Sequence, residues 1–240
     1  MGPRAEILVI IPTYNEAGNI VRLIREIHAQ GLGADLLVVD DNSPDGTASL
    51  AEGLSQEAPV SVLRREGKLG LGSAHKAGFR YALQRGYPMV ITIDGDFAHP
   101  PHYLQQMVNR AAEADVVVGS RFLSGADFYK IGWLRPLISW TTHFLARVLL
   151  RLPYDCTGGL RLYRLTALRS IDLAELPSDG HALLFEILHA FKRKGFRIAE
   201  IPIIVEGRPA GKSKVTWVEL LRSGGAFGRL ILRSWVCPNK

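Results

Sequence analysis

The chain has 240 residues, 47% of them apolar, and a formal charge of +6; this suffices for one substantial core, and residues 1–240 read as a single domain. The basic balance favours anionic partners, whether nucleic acid, phosphorylated ligands or an anionic membrane surface, without choosing among them. Two cysteines without CxxC spacing speak against a disulfide framework and a zinc site, and no run of about 18 apolar residues is present to span a bilayer.

At the N-terminus, Glu6 and the turn-like Pro12 to Asn15 bracket an apolar run of strand length only. That pattern is no secretion signal, and the cysteine usage fits a reducing, cytosolic setting. Apolar runs bounded by turn residues predict strands at Ile7 to Ile11, Leu36 to Val39, Val60 to Leu63, Met89 to Ile93 and Val116 to Val118. Between the first two, Ile20, Leu23, Ile24 and Ile27 follow the i, i+3, i+4, i+7 rule of an amphipathic helix that Gly31 and Gly33 end. The alternation predicts an α/β fold with a mostly parallel, doubly wound, Rossmann-like sheet. After Gly119 the rhythm changes, and a polar loop from Ser124 to Gly132 leads into an amphipathic stretch. Its stripe runs through Leu134, Leu137, Ile138, Thr141, Phe144, Leu145, Val148 and Leu149, with arginines off it. A helix over Leu183 to Arg193 follows, then a strand over Ile198 to Val205, where Pro202 calls for an edge or a bulge.

Chemistry concentrates where the predicted strands end. Asp94-Gly95-Asp96 directly follows a strand, and two carboxylates at the carboxyl end of a parallel strand are placed to hold a hard divalent cation against a diphosphate; the alternative is a solvated polar loop. In the second acidic cluster, Asp40 to Gly46, Asp45 suits a helix cap and Asp41 is the better ligand candidate. Tyr14 offers an aromatic face for a base and Glu16 an acceptor, although an ordinary strand-to-helix turn reads the same way. Gly67 to Gly72 precedes a helix and offers a phosphate cradle, but it matches neither the dinucleotide fingerprint, which would need glycine at His75, nor the Walker pattern. Arg208, Lys212 and Lys214 gather cations in one loop that can fold over a diphosphate, the alternative being a solvated basic loop, and Arg121 adds another cation at the same sheet edge.

In order along the chain, Pro12-Thr13-Tyr14-Asn15-Glu16, Val39-Asp40-Asp41-Asn42-Ser43-Pro44-Asp45-Gly46-Thr47, Leu69-Gly70-Leu71-Gly72, Asp94-Gly95-Asp96, Gly119-Ser120-Arg121, Thr157-Gly158 with Arg161, and Arg208 with Gly211-Lys212-Ser213-Lys214 resemble the dolichyl-phosphate (polyprenyl-phosphate) mannose synthases. These are inverting glycosyltransferases of the GT-A fold, and the likeness covers nearly the whole chain. It implies that Pro12, Tyr14, Glu16, Val39 and Asp41 surround the donor nucleoside, with Asp41 on the base. It further implies that Asp94 and Asp96 hold Mg²⁺ or Mn²⁺ with Gly95 close to the donor. Arg121, Arg208 and Lys214 would contact phosphates and, with Asp96, carry catalysis. Two positions depart from the pattern: Ala98 stands where a polar residue is usual, leaving water or His99 to complete the coordination, and Trp140 follows Ser139 where a basic residue is usual.

The resemblance implies mannosyl transfer from GDP-mannose to a polyprenyl or dolichyl monophosphate. Other expectations are a UDP-glucose donor, a sugar-hydroxyl acceptor, or a noncatalytic nucleotide-sugar-binding module. With a phosphorylated acceptor as the anionic partner, no nucleic acid is expected. The expected setting is the cytoplasmic side of a membrane, held peripherally through residues 133–152 and 215–236, with a separate membrane subunit possible. In the second of these segments a basic face of Arg222, Arg229 and Arg233 near Leu221, Leu232 and Trp235 is read as meeting lipid headgroups, the alternative being a helix packed on the core.

Overall fold

A computed structural model describes residues 5–123, 134–205, 224–226 and 228–231, with backbone alone for residues 134–140 and 142. The strands are β1 (Ile7–Thr13), β2 (Asp35–Asp40), β3 (Val60–Arg64), β4 (Met89–Thr92), β5 (Val116–Ser120), β6 (Arg161–Arg164) and β7 (Ile198–Pro202). The helices are α1 (Ile20–His28), α2 (Thr47–Glu52), α3 (Leu71–Arg85), α4 (Leu104–Arg110), α5 (Leu134–Leu149), α6 (Leu165–Arg169) and α7 (Leu183–Arg193).

All seven strands join one sheet in the order β3-β2-β1-β4-β6-β5-β7. β6 alone runs antiparallel to its neighbours. β1 is buried along its whole length because helices cover both faces of the sheet, which is why its sequence is a continuous apolar run rather than an alternating one. Leu8 and Ile10 face one core with Phe79 and Ala82 of α3 and Leu188 and Phe191 of α7. Ile7, Val9 and Ile11 face the other with Ile20, Leu23, Ile24 and Ile27 of α1 and Leu104 and Met107 of α4. Each fully buried Leu or Ile contributes about 1.5–3 kcal/mol over an exposed one.

The periodicity reading of α1 holds, and the chain leaves that helix through Gly31 and Gly33, both at positive φ. α3 ends at Gly86 in the left-handed region, with the Gly86 and Tyr87 amides bonded back to the Ala82 carbonyl. β7 lies at the sheet edge, where Pro202 is tolerated. Four strands run a little further than the apolar runs, to Thr13, Asp40, Arg64 and Ser120, while β4 stops at Thr92 rather than Ile93 and β7 at Pro202 rather than Val205. β6, with the sequence Arg-Leu-Tyr-Arg, has no counterpart among the predicted strands.

The chain reverses its direction of travel across the sheet at β1, which pairs with β2 on one side and β4 on the other. Such a switch point opens a crevice at the carboxyl ends of the strands. One wall depends on a close backbone approach: a Cβ on Gly72 would lie 2.5 Å from the Gly180 carbonyl oxygen and 2.9 Å from the Asp179 carbonyl carbon. Backbone cannot yield as a side-chain tip can, so Gly72→Ala is expected to destabilise the fold by about 1–3 kcal/mol. Urea unfolding measures this, and an unchanged midpoint would refute the tight approach.

Candidate functional site

The crevice is built by stitching the loops after β1 and β2 together. Thr13 Oγ1 donates to Asp40 Oδ1 at 2.8 Å, and Ser43 donates to Asp40 through both N and Oγ. The amides of Asn15, Glu16 and Ala17 donate to Ser43 Oγ, Thr47 Oγ1 and Asp45 Oδ2. Asp45 Oδ1 also accepts from the amide of Thr47, the first residue of α2, at 3.1 Å, but the cap position itself is held by Gly46 rather than Asp45. Asp40 is therefore occupied in holding the loops. Asn15, Asn42 and Phe97, one in each loop after β1, β2 and β4, take positive φ without being glycine, and such strain gathers where a loop's shape matters.

Asp94-Gly95-Asp96 leaves β4 against this loop pair. An ideal Cβ on Gly95 would sit 3.2–3.4 Å from Thr13 Cγ2, the Pro12 carbonyl oxygen and Glu16 Cγ, so the turn lies close on the β1 loop. On the other side a Cβ on Gly159 would collide with the Asp94 carboxylate. Asp96 Oδ1 accepts the Ala98 amide at 2.9 Å, and His99 Nε2 stands 3.4 Å from Asp94 Oδ2. Burial would raise the Asp94 carboxyl, but His99, His75 and His181 outweigh it and bring it down to about 2, so this carboxylate is ionised at neutral pH. His75 is buried, which pushes its imidazole down to about 4, and its Nε2 has no hydrogen-bond partner among the described residues.

These residues fit a divalent cation. Asp94 and Asp96 are oxygen donors one residue apart, and His99 is buried beside them with Nδ1 unpartnered. Among the described residues no three His, Cys, Asp or Glu side chains gather into a ready metal cage. Mg²⁺ and Mn²⁺ tolerate that, because one or two carboxylates with substrate phosphates and water make up their shell.

Asp41 lies across the crevice, and the structure corrects the reading of the glycine-rich segment. The amides of Leu69 and Gly70 both donate to Asp41 Oδ2 at 3.0 Å, and the Ser73 amide donates to the Asp179 carbonyl at 3.0 Å. The turn before α3 and the Ser73 amide thus hold parts of their own chain, and Gly70 and Gly72 serve close approach to Asp179 and Gly180, whereas a Cβ on Gly67 would meet nothing within 4 Å. Arg65 Nη1 donates to Asp41 Oδ1 at 2.6 Å; burial still leaves the Asp41 carboxyl raised above its ordinary value, with Arg65 and the two amides opposing. Lys68 Nζ sits 4.8 Å from the Tyr14 ring centroid, on the same side. Neither Arg65 nor Lys68 was signalled by the sequence, since their partners lie 24 and 54 positions away in the chain.

Arg121, directly after β5, is not an isolated cation but half of an ion pair. Its Nε donates to Asp155 Oδ2 at 2.8 Å and its Nη2 to Oδ1 at 2.9 Å, with a further bond to Thr157 Oγ1. Asp155 is fully buried and also accepts the Thr157 and Gly158 amides. Burial alone would raise its carboxyl, but the Arg121 guanidinium and the amides of Thr157 and Arg121 hold it well below the usual carboxylate range. The following loop is clamped by Arg161, whose buried guanidinium donates to the carbonyls of Cys156, Gly158 and Leu184. Asp155 and this use of Arg161 went unread in the sequence. Pro12 and Val39 are buried in the strands that lead into the crevice. Arg208, Lys212 and Lys214 lie outside the described residues, as do Arg222 and Arg233.

Comparison with known proteins agrees with this architecture. Residues 8–172 match glycosyl transferase family 2. An undecaprenyl-phosphate mannosyltransferase of Micrococcus luteus is 38% identical over 94% of this chain and 91% of its own. A polyprenol monophosphomannose synthase of Mycolicibacterium smegmatis is 37% identical over 89% and 82%. Among solved structures, glucosyl-3-phosphoglycerate synthase of Mycobacterium tuberculosis with Mn²⁺, UDP-glucose and phosphoglyceric acid superposes with TM-score 0.66 at 22% identity, over 97% of this chain and 80% of that one. The same protein with UDP gives TM-score 0.69 at 20% identity over the same shares. At this identity the likeness speaks for the fold, which is the expected GT-A fold.

The Arg121–Asp155 pair yields a stability prediction. Removing one partner of a buried pair strands the other, so Arg121→Ala is expected to cost about 3–5 kcal/mol in urea unfolding at neutral pH. The folded Asp155 carboxyl is depressed below its unfolded value. Its contribution is therefore complete above the ordinary carboxylate range and is lost as pH falls through the depressed value. A loss under about 1 kcal/mol at neutral pH would show that the pair is solvated rather than buried.

Proposed function

We propose, starting from the fact that this chain belongs to glycosyl transferase family 2, that it transfers mannose from GDP-mannose to a polyprenyl monophosphate with inversion at the anomeric carbon. The observation that carries the reading is the meeting of Asp94-Gly95-Asp96 with the Pro12–Glu16 loop at the carboxyl-end switch point, with Asp41 across the same crevice. The mannosyltransferase names of the two relatives support the sugar and the polyprenyl phosphate.

In this reading Tyr14 and Asp41 receive the base, and Pro12, Glu16 and Val39 shape the nucleoside site. Asp94 and Asp96 hold Mg²⁺ or Mn²⁺, with Gly95 leaving room for the donor. The ion, when bound, supplies positive charge to a diphosphate. Arg121, Arg208 and Lys214 add fixed charge for the departing diphosphate, whose negative charge grows toward the transition state. The acceptor needs little activation: the second pKa of a phosphate monoester is about 6, so its oxygen is already largely ionised at pH 7. No strong catalytic base is required of the chain.

A polyprenyl acceptor resides in a bilayer, and α5 supplies a face to meet it. Phe144, Leu145 and Val148 of α5 are exposed, and Arg147 and Arg151 are exposed beside them. Such a face suits an anionic interface. Among the described residues no helix is long and apolar enough to cross a membrane.

Two experiments test these proposals. The purified protein with Mn²⁺ is expected to form polyprenyl-phosphate mannose from GDP-mannose and a short polyprenyl phosphate, and Asp96→Ala to reduce this to background; metal-dependent turnover surviving in the variant would dismiss the metal assignment. Binding to anionic vesicles at low salt is expected to weaken roughly tenfold or more in Phe144→Ser/Val148→Ser, since each buried apolar side chain is worth about 1.5–3 kcal/mol. Equal binding by the variant would move the membrane face elsewhere.

A further inference from the structure

We propose that Asp155 is the positioning residue that sets Arg121 for phosphate recognition, an inference that rests on the reading of Arg121 as a phosphate contact. The two residues are 34 positions apart and meet only because β6 returns the chain to the same sheet edge. Both carboxylate oxygens are used. Oδ2 accepts from Nε and from the Arg121 amide, and Oδ1 accepts from Nη2. This two-point grip fixes the plane of the guanidinium as well as its place.

Asp155 is in turn held from behind. Its own amide donates to Glu200 Oε1 at 2.8 Å, which ties it to β7, and Thr157 and Gly158 close over Oδ1. Gly158 packs where a Cβ would come 3.3 Å from the Gly119 carbonyl oxygen, beside the end of β5. Arg161 holds the same loop by its carbonyls. An arginine there cannot swing out to greet an anion without abandoning a fully buried carboxylate. Arg121, with 19% of its side chain exposed against none of Asp155's, is thus presented in one fixed orientation rather than recruited on binding. A pair that served folding alone would give no reason to leave its cation at the crevice edge.

The test is a double-mutant cycle of wild type, Arg121→Gln, Asp155→Asn and the double variant. It is read on equilibrium binding of GDP or UDP, whichever the wild type binds tighter with Mn²⁺, and on single-turnover transfer from GDP-mannose. Asp155→Asn is expected to weaken the nucleotide and slow transfer by about tenfold or more, because displacement of a catalytic cation by about 1 Å is costly. In the Arg121→Gln background the same substitution is expected to add less than about twofold, the sign of residues acting as one unit. Equal losses in both backgrounds, or no loss in either, would overturn the proposal. Arg121→Gln strands the Asp155 carboxylate, so binding and transfer are read per folded protein; should Asp155→Asn alone fail to fold, the double variant, which strands no charge, is compared with Arg121→Gln: matching or better behaviour supports the proposal and a further loss overturns it. A wild type that transfers no mannose sinks the reaction reading by itself, and the nucleotide-binding cycle then decides the role of Asp155.

Discussion

Burying a carboxylate demands donors, and the rest of this sheet edge is arranged around that demand. Asp40 is satisfied by Thr13 and Ser43, Asp41 by Arg65 and two amides of the glycine-rich turn, and Asp155 by Arg121 and the turn that follows it. Each solution joins segments distant in sequence, so the charges themselves hold the loops in register. Asp94 differs: histidines surround it, and the Gly159 backbone lies against it. Acids that are already saturated build the walls, and in the proposed reading the pair on the β4 turn holds the metal.

Rigidity at this edge has a backbone component as well. Asn15, Asn42 and Phe97 occupy a region of φ that side chains avoid, and Phe97 does so while buried and under the guanidinium of Arg22, 4.8 Å from its ring centroid. Strain of that kind persists only where surrounding contacts over-determine the loop. Here they are the side-chain-to-amide bonds between the β1 and β2 loops and the close seating of Gly95. In the proposed reading, a diphosphate site gains from being built before the ligand arrives, since little ordering is then left to the binding step.

What the sequence revealed and what it hid divide along the range of the interactions. β1, β2, β4 and α1 were legible because burial on both faces writes an apolar run and one buried stripe writes a 3.6-residue period. Asp94-Gly95-Asp96 was legible because a strand end and two carboxylates are adjacent in the chain. β6 was not: only four residues long and with an arginine at each end, it reads as surface, yet Arg161 is fully buried and paid for by carbonyl acceptors from three other residues. Asp155 and Arg65 were hidden for the same reason, their partners lying 34 and 24 positions away. The glycines at Gly70 and Gly72 were visible but misleading, because a close approach to Asp179 and Gly180 needs the same residue as a phosphate turn does.

The place of β6 in the sheet also bears on how the protein is made. β4 and β5 emerge from synthesis before β6, yet they never pair with each other; a slot one strand wide must stay open between them until Arg161–Arg164 arrives. During that interval both strands present unpaired edges rich in valine and isoleucine, the kind of template on which other chains stick. Closing the slot is a non-local event and therefore slow. The two terminal arginines of β6 give that strand polar ends, and when it docks it brings Asp155 to Arg121, so the strand that closes the slot also completes the site's edge before β7 adds to β5.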